Sequence, residues 1–179
     1  MISMWNTLPL ESLLSVPIRN GLTKPQAIRG DGVKMIGMGE LFANGRIGNI
    51  PMDRVPVNDK ELASSSIEEN DLLFARQSLV LEGAGKCSIV TAVDEDTVFE
   101  SHLIRVRVDQ GKILPGFLYY YFNSYSGREQ VKGIVEPDWY VIEFEGEDGY
   151  INSEYVSFAP EDEIEGGFAL VAKKYMVMA

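Results

Sequence analysis

The stretch DLLFARQSLVLEGAGKCSIV, residues 71–90, sets Arg76, Gln77 and Ser78 directly after one apolar run and Lys86 directly before another. Arginine and glutamine make bidentate hydrogen bonds to guanine and adenine edges. Serine and backbone N–H groups bond phosphate or base. Lys34, Arg46, Arg76, Lys86, Arg105 and Arg107 are the candidates for neutralising phosphate. Taken singly, each is better read as a solvated side chain.

Catalytic chemistry has less to stand on. His102 is the only histidine, and strand parity places it with Ile104, Val106 and Val108, which favours a semi-buried, satisfied ring over a base or ligand. Cys87 opens an apolar run, and no second histidine exists to activate it as a nucleophile. The acidic groups at 68–69, 94–96 and 161–163 are adjacent in sequence, which suits solvated turns better than convergent metal sites. Gly83-Ala84-Gly85-Lys86 is too short for the phosphate-binding P-loop pattern. The expectation is a non-enzymatic protein with no cofactor and no metal.

A formal net charge of −11 argues at first against a polyanionic partner. Its distribution changes that. Residues 1–135 hold 14 basic and 16 acidic residues, a net of −2, whereas residues 136–179 hold 2 basic and 11 acidic, a net of −9. The earlier part can therefore carry a local basic face. With 179 residues, 45% of them hydrophobic, the chain is long enough for one good core. No apolar run approaches a membrane span, no secretory leader is evident and the single cysteine fits a reducing interior, so a cytoplasmic location is expected.

The elements that must position these side chains are short. Thr7 and Pro9 suit the start of a helix carrying Leu10, Leu13 and Leu14. Residues 17–29 read as a loop, 33–38 as a strand, Asn44-Gly45 as a tight turn and 59–64 as a short helix. Residues 97–108, TVFESHLIRVRV, read as one alternating strand. Pro115 opens a helix whose Phe117, Leu118, Tyr121, Phe122 and Tyr125 form an aromatic stripe assigned to the core, with Gly127 as its C-terminal cap. The fold class expected is α+β: an irregular, mostly antiparallel sheet with a few short helices, plus a small C-terminal β-hairpin appendage. Two domains are expected, 1–135 and an acidic β appendage at 136–179.

Taken in order, Trp5 with the leucines at 8–14, Asn44-Gly45, residues 71–76, residues 83–86, SHLIRVR at 101–107 and the aromatic helix running to Arg128 resemble the target recognition domain of type I restriction–modification specificity subunits. The resemblance covers about residues 5–135. It implies sequence-specific binding of double-stranded DNA without catalysis. It also implies a methyltransferase subunit, and a restriction motor subunit, as partners. Carried over, Arg76, Gln77, Ser78 and Lys86 fall in the DNA-facing loop, and Ser101 and His102 at the start of the neighbouring strand. Lys34 and Arg46 complete the candidate DNA-binding set. The family's second recognition domain, proline-rich signature and spacer helix are not found after Val135.

Residues 138–158 are similar to the last strands of bacterial SH3 domains through Trp139, Gly149, Tyr150, Ser153 and Tyr155; a hairpin that finishes the preceding sheet is the plainer reading. This segment would cap the domain or form a homodimer contact. The alternative function is a regulatory module that engages methyltransferase or restriction subunits, with the acidic tail imitating the charge of DNA. No membrane partner is expected.

Overall fold

The computed structural model describes residues 8–76, 83 and 85–132, and the backbone of the strands at 139–144, 147–152, 156–158 and 170–172. The chain divides into two compact units, Met1–Val135 and Glu136–Ala179. Among the described residues no helix is long and apolar enough to cross a membrane.

The first unit runs β1 (Arg19–Asn20), β2 (Val33–Ile36), α1 (Met38–Ala43), β3 (Arg46–Ile47), β4 (Asp53–Val55), α2 (Asp59–Ser65), β5 (Leu72–Ala75), β6 (Cys87–Val90), β7 (Thr97–Phe99), β8 (Leu103–Val106), α3 (Pro115–Asn123) and α4 (Tyr125–Lys132). A five-stranded sheet has the order β1-β8-β5-β6-β3, and a three-stranded sheet the order β4-β2-β7. Most pairs are antiparallel; β3–β6 and β2–β7 are parallel. Mixed sheets with short helices make this an α+β fold, as the sequence indicated.

β5 explains the geometry. Leu73 and Ala75 join a core with Ile36, Leu41, Val90 and Phe99, while Leu72 and Phe74 join a second core with Cys87, Ile89, Leu118 and Phe122. The strand is buried on both faces because α3 and α4 cover one side and α1 with the second sheet cover the other. A continuous apolar run is what such a central strand requires. Phe74 meets Phe122 edge to face at 5.1 Å, which fixes α3 against the sheet.

Several expectations need correction. Residues 97–108 do not form one strand: Ser101 and His102 turn the chain, so β7 pairs with β2 and β8 with β5 in the other sheet. The expected strand at 33–38 stops at Ile36, and Met38 opens α1. Gly39 weakens that helix locally, but carboxylates hold its first turn: Glu40 accepts the N–H of the N-cap Gly37 at 2.9 Å and Glu100 accepts the Met38 N–H at 2.6 Å. The expected loop at 17–29 contains β1 and a 3-10 turn at Gln26–Ile28. The first helix is a 3-10 turn, Leu10–Leu13, behind Pro9; Trp5 and Thr7 lie outside the described residues.

Gly127 does not cap α3. It lies inside α4, where a Cβ would sit 2.0 Å from the Tyr121 carbonyl oxygen, so close approach of the two helices is the reason for glycine. The aromatic stripe is only partly core. Leu118 and Phe122 are buried, whereas Phe117 and Tyr125 are exposed, together with Leu114 and Tyr120.

In the second unit, β9 (Trp139–Phe144) and β10 (Glu147–Asn152) form an antiparallel hairpin, and β11 (Val156–Phe158) pairs antiparallel with β12 (Leu170–Ala172). The turn expected at 145–149 is shorter, since β10 resumes at Glu147. Trp139, Gly149 and Tyr150 lie in the hairpin; Ser153, Tyr155 and the acidic stretch at 159–167 lie outside the described residues.

Candidate nucleic-acid interface

Three strand ends meet at one rim of the five-stranded sheet. The Ala75 N–H donates to the Lys86 carbonyl at 3.0 Å, and the Arg76 N–H donates to the His102 carbonyl at 2.8 Å. The end of β5 is thus flanked by the residues that lead into β6 and β8. Gly85 closes the return: its N–H reaches the Ala75 carbonyl at 2.9 Å with φ of 68°, a left-handed value that glycine adopts without strain. Sequence distance is removed by the ladder, which makes Arg76, Lys86 and His102 neighbours. Gln77 and Ser78 lie outside the described residues.

The three differ in how they are held. Arg76 is half-buried, and its Nε is buried with no hydrogen-bond partner among the described residues. A buried, unmatched donor costs roughly 1–3 kcal/mol. His102 is 55% exposed. Lys86 is tied down: its ammonium donates to the Phe42 carbonyl at 2.7 Å, near the end of α1, and lies 5.2 Å from the Phe42 ring centre. The last carbonyls of a helix favour a cation there, so part of its hydrogen-bonding capacity serves the fold. Ser88, two residues on, is buried and donates to the Leu41 and Asn44 carbonyls at 3.1 and 2.8 Å.

The other candidates are not gathered at the rim. Lys34 pairs in register with Thr97 at the start of β7, whereas His102 lies past that strand's end. Its ammonium is 2.8 Å from Asp94 and 3.1 Å from Glu95. Those carboxylates raise its affinity for its proton, and Arg54 with Lys34 pulls the Glu95 carboxyl down to about 2. Arg46 is exposed on the edge strand β3, where it donates to the Tyr120 hydroxyl at 2.7 Å. Ser101 shares the turn with His102, and its N–H donates to the Leu22 carbonyl at 2.9 Å.

Arg105 and Arg107 are turned to internal use, which corrects their reading as phosphate ligands. Arg105 is buried and donates to the Ser66 carbonyl at 2.6 Å. Arg107 grips Asp71 through two bonds of 2.7 Å and also binds Glu68. Asp71 is fully buried and accepts the Glu68 N–H, so this fork locks the turn that precedes β5. Cys87 is buried, and burial pushes its thiol up, which makes it inert. Sequence reasoning did not single out Phe42 and Glu100, the residues that hold the rim from behind; the FESH order beside His102 was the one signal for Glu100.

Arg76, Lys86 and His102 thus stand at adjacent strand ends of a sheet packed on both faces. Comparison with known proteins gives the relatives of this scaffold. It is 30% identical over 125 residues to the specificity subunit of the type I restriction enzyme StySPI of Salmonella potsdam, covering 69% of this chain and 26% of that protein. It is 26% identical over 135 residues to the EcoKI specificity subunit of Escherichia coli (strain K12), covering 75% and 28%. This homology relates the chain to a part of the specificity subunits of type I restriction enzymes and supports a target recognition domain.

The fold agrees. The HsdS subunit from Thermoanaerobacter tengcongensis superposes with a TM-score of 0.50 at 14% identity, covering 73% of this chain and 29% of that one. A chain from a structure of type I R-M complex assembly and conformational transition gives 0.50 at 13% identity, covering 82% and 35%. No family model matches the chain. The chain spans about a quarter of the length of the curated relatives it matches.

Proposed function

We propose that this chain is a non-catalytic DNA-reading module that binds double-stranded DNA at a specific sequence through the rim of its five-stranded sheet. The observation that carries the reading is the juxtaposition of Arg76, Lys86 and His102 on three neighbouring strand ends in a homologue of specificity subunits. Among the described residues, neither Arg76 nor Lys86 has a carboxylate partner. Arg76 is the base reader: its guanidinium, which has no carboxylate partner among the described residues, would pair with a guanine edge. His102 and Ser101 add contacts beside it, and Gln77 and Ser78 extend the same segment. Lys34, on the three-stranded sheet, and Arg46, on the edge strand β3, stand apart from the rim and contribute less.

In this reading the module works in the cytoplasm with a methyltransferase subunit, and with a restriction motor subunit in a larger assembly. The region matched to the relatives corresponds, in this reading, to one recognition domain. Binding by one such domain buries about 600–1,000 Å² of protein surface and depends on salt through counterion release. Fluorescence anisotropy over a random duplex pool, at two salt concentrations, tests it. Sequence-selective enrichment that weakens with salt is the expected outcome; absence of duplex binding at low salt refutes the reading.

A second reading is a protein-interaction module. The observation that favours it is the exposed stripe of Leu114, Phe117 and Tyr120 on α3 with Tyr125 beyond it, since apolar surface of this kind marks interaction sites. Co-purification with the methyltransferase subunit in the absence of any DNA binding would select it.

A further inference from the structure

The edge strand β1 carries a cation that the fold leaves exposed. Arg19 stands directly opposite Arg105 in the antiparallel β1–β8 ladder. Residues opposed in this way share one face of the sheet with Cβ atoms about 5 Å apart, and like charges there repel. Arg105 cannot swing away. It is 5% exposed, donates to the Ser66 carbonyl at 2.6 Å and lies 5.7 Å from the Phe99 ring centre. Its Nε is buried with no hydrogen-bond partner among the described residues. Burial first, then the Arg107 charge and further down Arg19, loosen its hold on its proton, against the opposing pull of Asp71 and Glu68.

Those two acids are already bonded to Arg107. Arg19 itself is exposed, and its side chain has no acidic partner among the described residues. The ladders place it near the rim. Gly21, Leu103, Ala75 and Lys86 form one row across four strands, and Arg19 stands two residues behind that row, about 7 Å along the strand. The position of β1 is fixed closely: a Cβ on Gly21 would stand 2.1 Å from the Phe99 carbonyl oxygen, so only glycine passes there. Three strand spacings, about 14 Å, separate β1 from β6. Arg19 and Lys86 therefore flank Arg76 from opposite sides, at a separation comparable with the roughly 12 Å width of the major groove.

We propose that Arg19 is a DNA phosphate contact on the β1 side of the rim, kept free for that role by the buried Arg105 that faces it in register. Repulsion from Arg105 turns the Arg19 guanidinium outward, and a backbone phosphate supplies the negative charge that this edge lacks. The planar fork of arginine suits two phosphate oxygens at once. Arg105 is a positioning residue here and touches no DNA. Arg19 reads no base; it sets the duplex against Arg76. This rests on the DNA-reading function proposed above.

The test is affinity for a labelled random-sequence duplex across a salt series. Arg19→Ala lowers the slope of log affinity against log salt by about one, and weakens binding roughly five- to tenfold at about 0.1 M salt, with the loss fading toward about 1 M. Arg19→Lys keeps most of the slope, because the charge remains. Preference for selected over random duplexes is unchanged in both variants, which separates this contact from a base reader. The urea midpoint of Arg19→Ala stays level or rises, since a charge facing Arg105 has been removed. A wild-type slope in Arg19→Ala overturns the contact, as does a lost slope that Arg19→Lys fails to restore. A lower urea midpoint in Arg19→Ala marks a structural role and overturns it too. Wild-type protein that binds no duplex at any salt defeats the underlying DNA-reading function; wild-type binding with an unchanged slope in Arg19→Ala defeats this inference alone.

Discussion

Lys34 and Arg76 look alike in the sequence, each a lone cation beside apolar strand residues, and the fold uses them differently. Lys34 is 13% exposed and held by Asp94 and Glu95, while Arg54 takes Glu95 from the other side with bonds of 2.8 and 2.7 Å. Arg76 has no carboxylate partner among the described residues and keeps a buried donor unmatched. A cation enclosed by acids offers little new energy to a phosphate, because binding must first break existing pairs. One without a carboxylate partner breaks no ion pair when it meets a phosphate or a base. Which acids fold back on which cations, more than the number of cations, therefore decides where a polyanion can sit.

The largest test of this contrast concerns a cation fully committed to the fold. Arg107→Ala leaves the buried Asp71 carboxylate uncompensated and should destabilise the protein by about 3–5 kcal/mol, read from urea denaturation. Lys86 sharpens the comparison because it stands between the extremes. Lys86→Ala, which loses the bond to the Phe42 carbonyl, should lower stability by about 1–2 kcal/mol. It should also reduce the slope of log affinity against log salt by about one phosphate contact. An unchanged slope would assign Lys86 to the fold alone.

The smallest effect is at the Lys34 cluster. Glu95 has its folded-state carboxyl depressed to about 2 by Arg54 and Lys34, against an ordinary value of 4.5. A depressed carboxyl contributes stability that is present above 4.5 and is lost as pH falls toward 2. Glu95→Gln should therefore flatten the acid limb of the stability profile across that window while leaving DNA affinity near pH 7 unaltered. A matching loss of DNA affinity would move the interface toward Lys34.

Much of this was legible in the sequence, and the rest was hidden for physical reasons. The apolar runs of β5 and β6, α2 and the Pro115 helix start follow from local rules, whereas the tight turn expected at Asn44-Gly45 is instead the extended C-cap of α1 and a bend into β3. The rim itself was half legible, since Arg76 and Lys86 are near in sequence, but only the β5–β8 ladder brings His102 beside them. Helix α1 was invisible because it is short, Gly39 argues against it locally and the Glu100 carboxylate that steadies it comes from a remote turn. Parity correctly put Arg105 and Arg107 on one face. It could not say that the face is covered, because the cover is built from Ser66, Glu68 and Asp71. The aromatic helix failed in the opposite sense: spacing marks which residues align, and packing on one side leaves Phe117 and Tyr125 outside.

The most direct measurement compares Arg76→Ala with Lys34→Ala in sequence-selective duplex binding, at one salt concentration and with folding verified. Arg76→Ala should lose about 1–3 kcal/mol of discrimination between selected and random duplexes, while Lys34→Ala changes it by less than about 0.5 kcal/mol. Equal losses, or a loss confined to Lys34→Ala, would contradict the assignment of the rim as the DNA-reading surface.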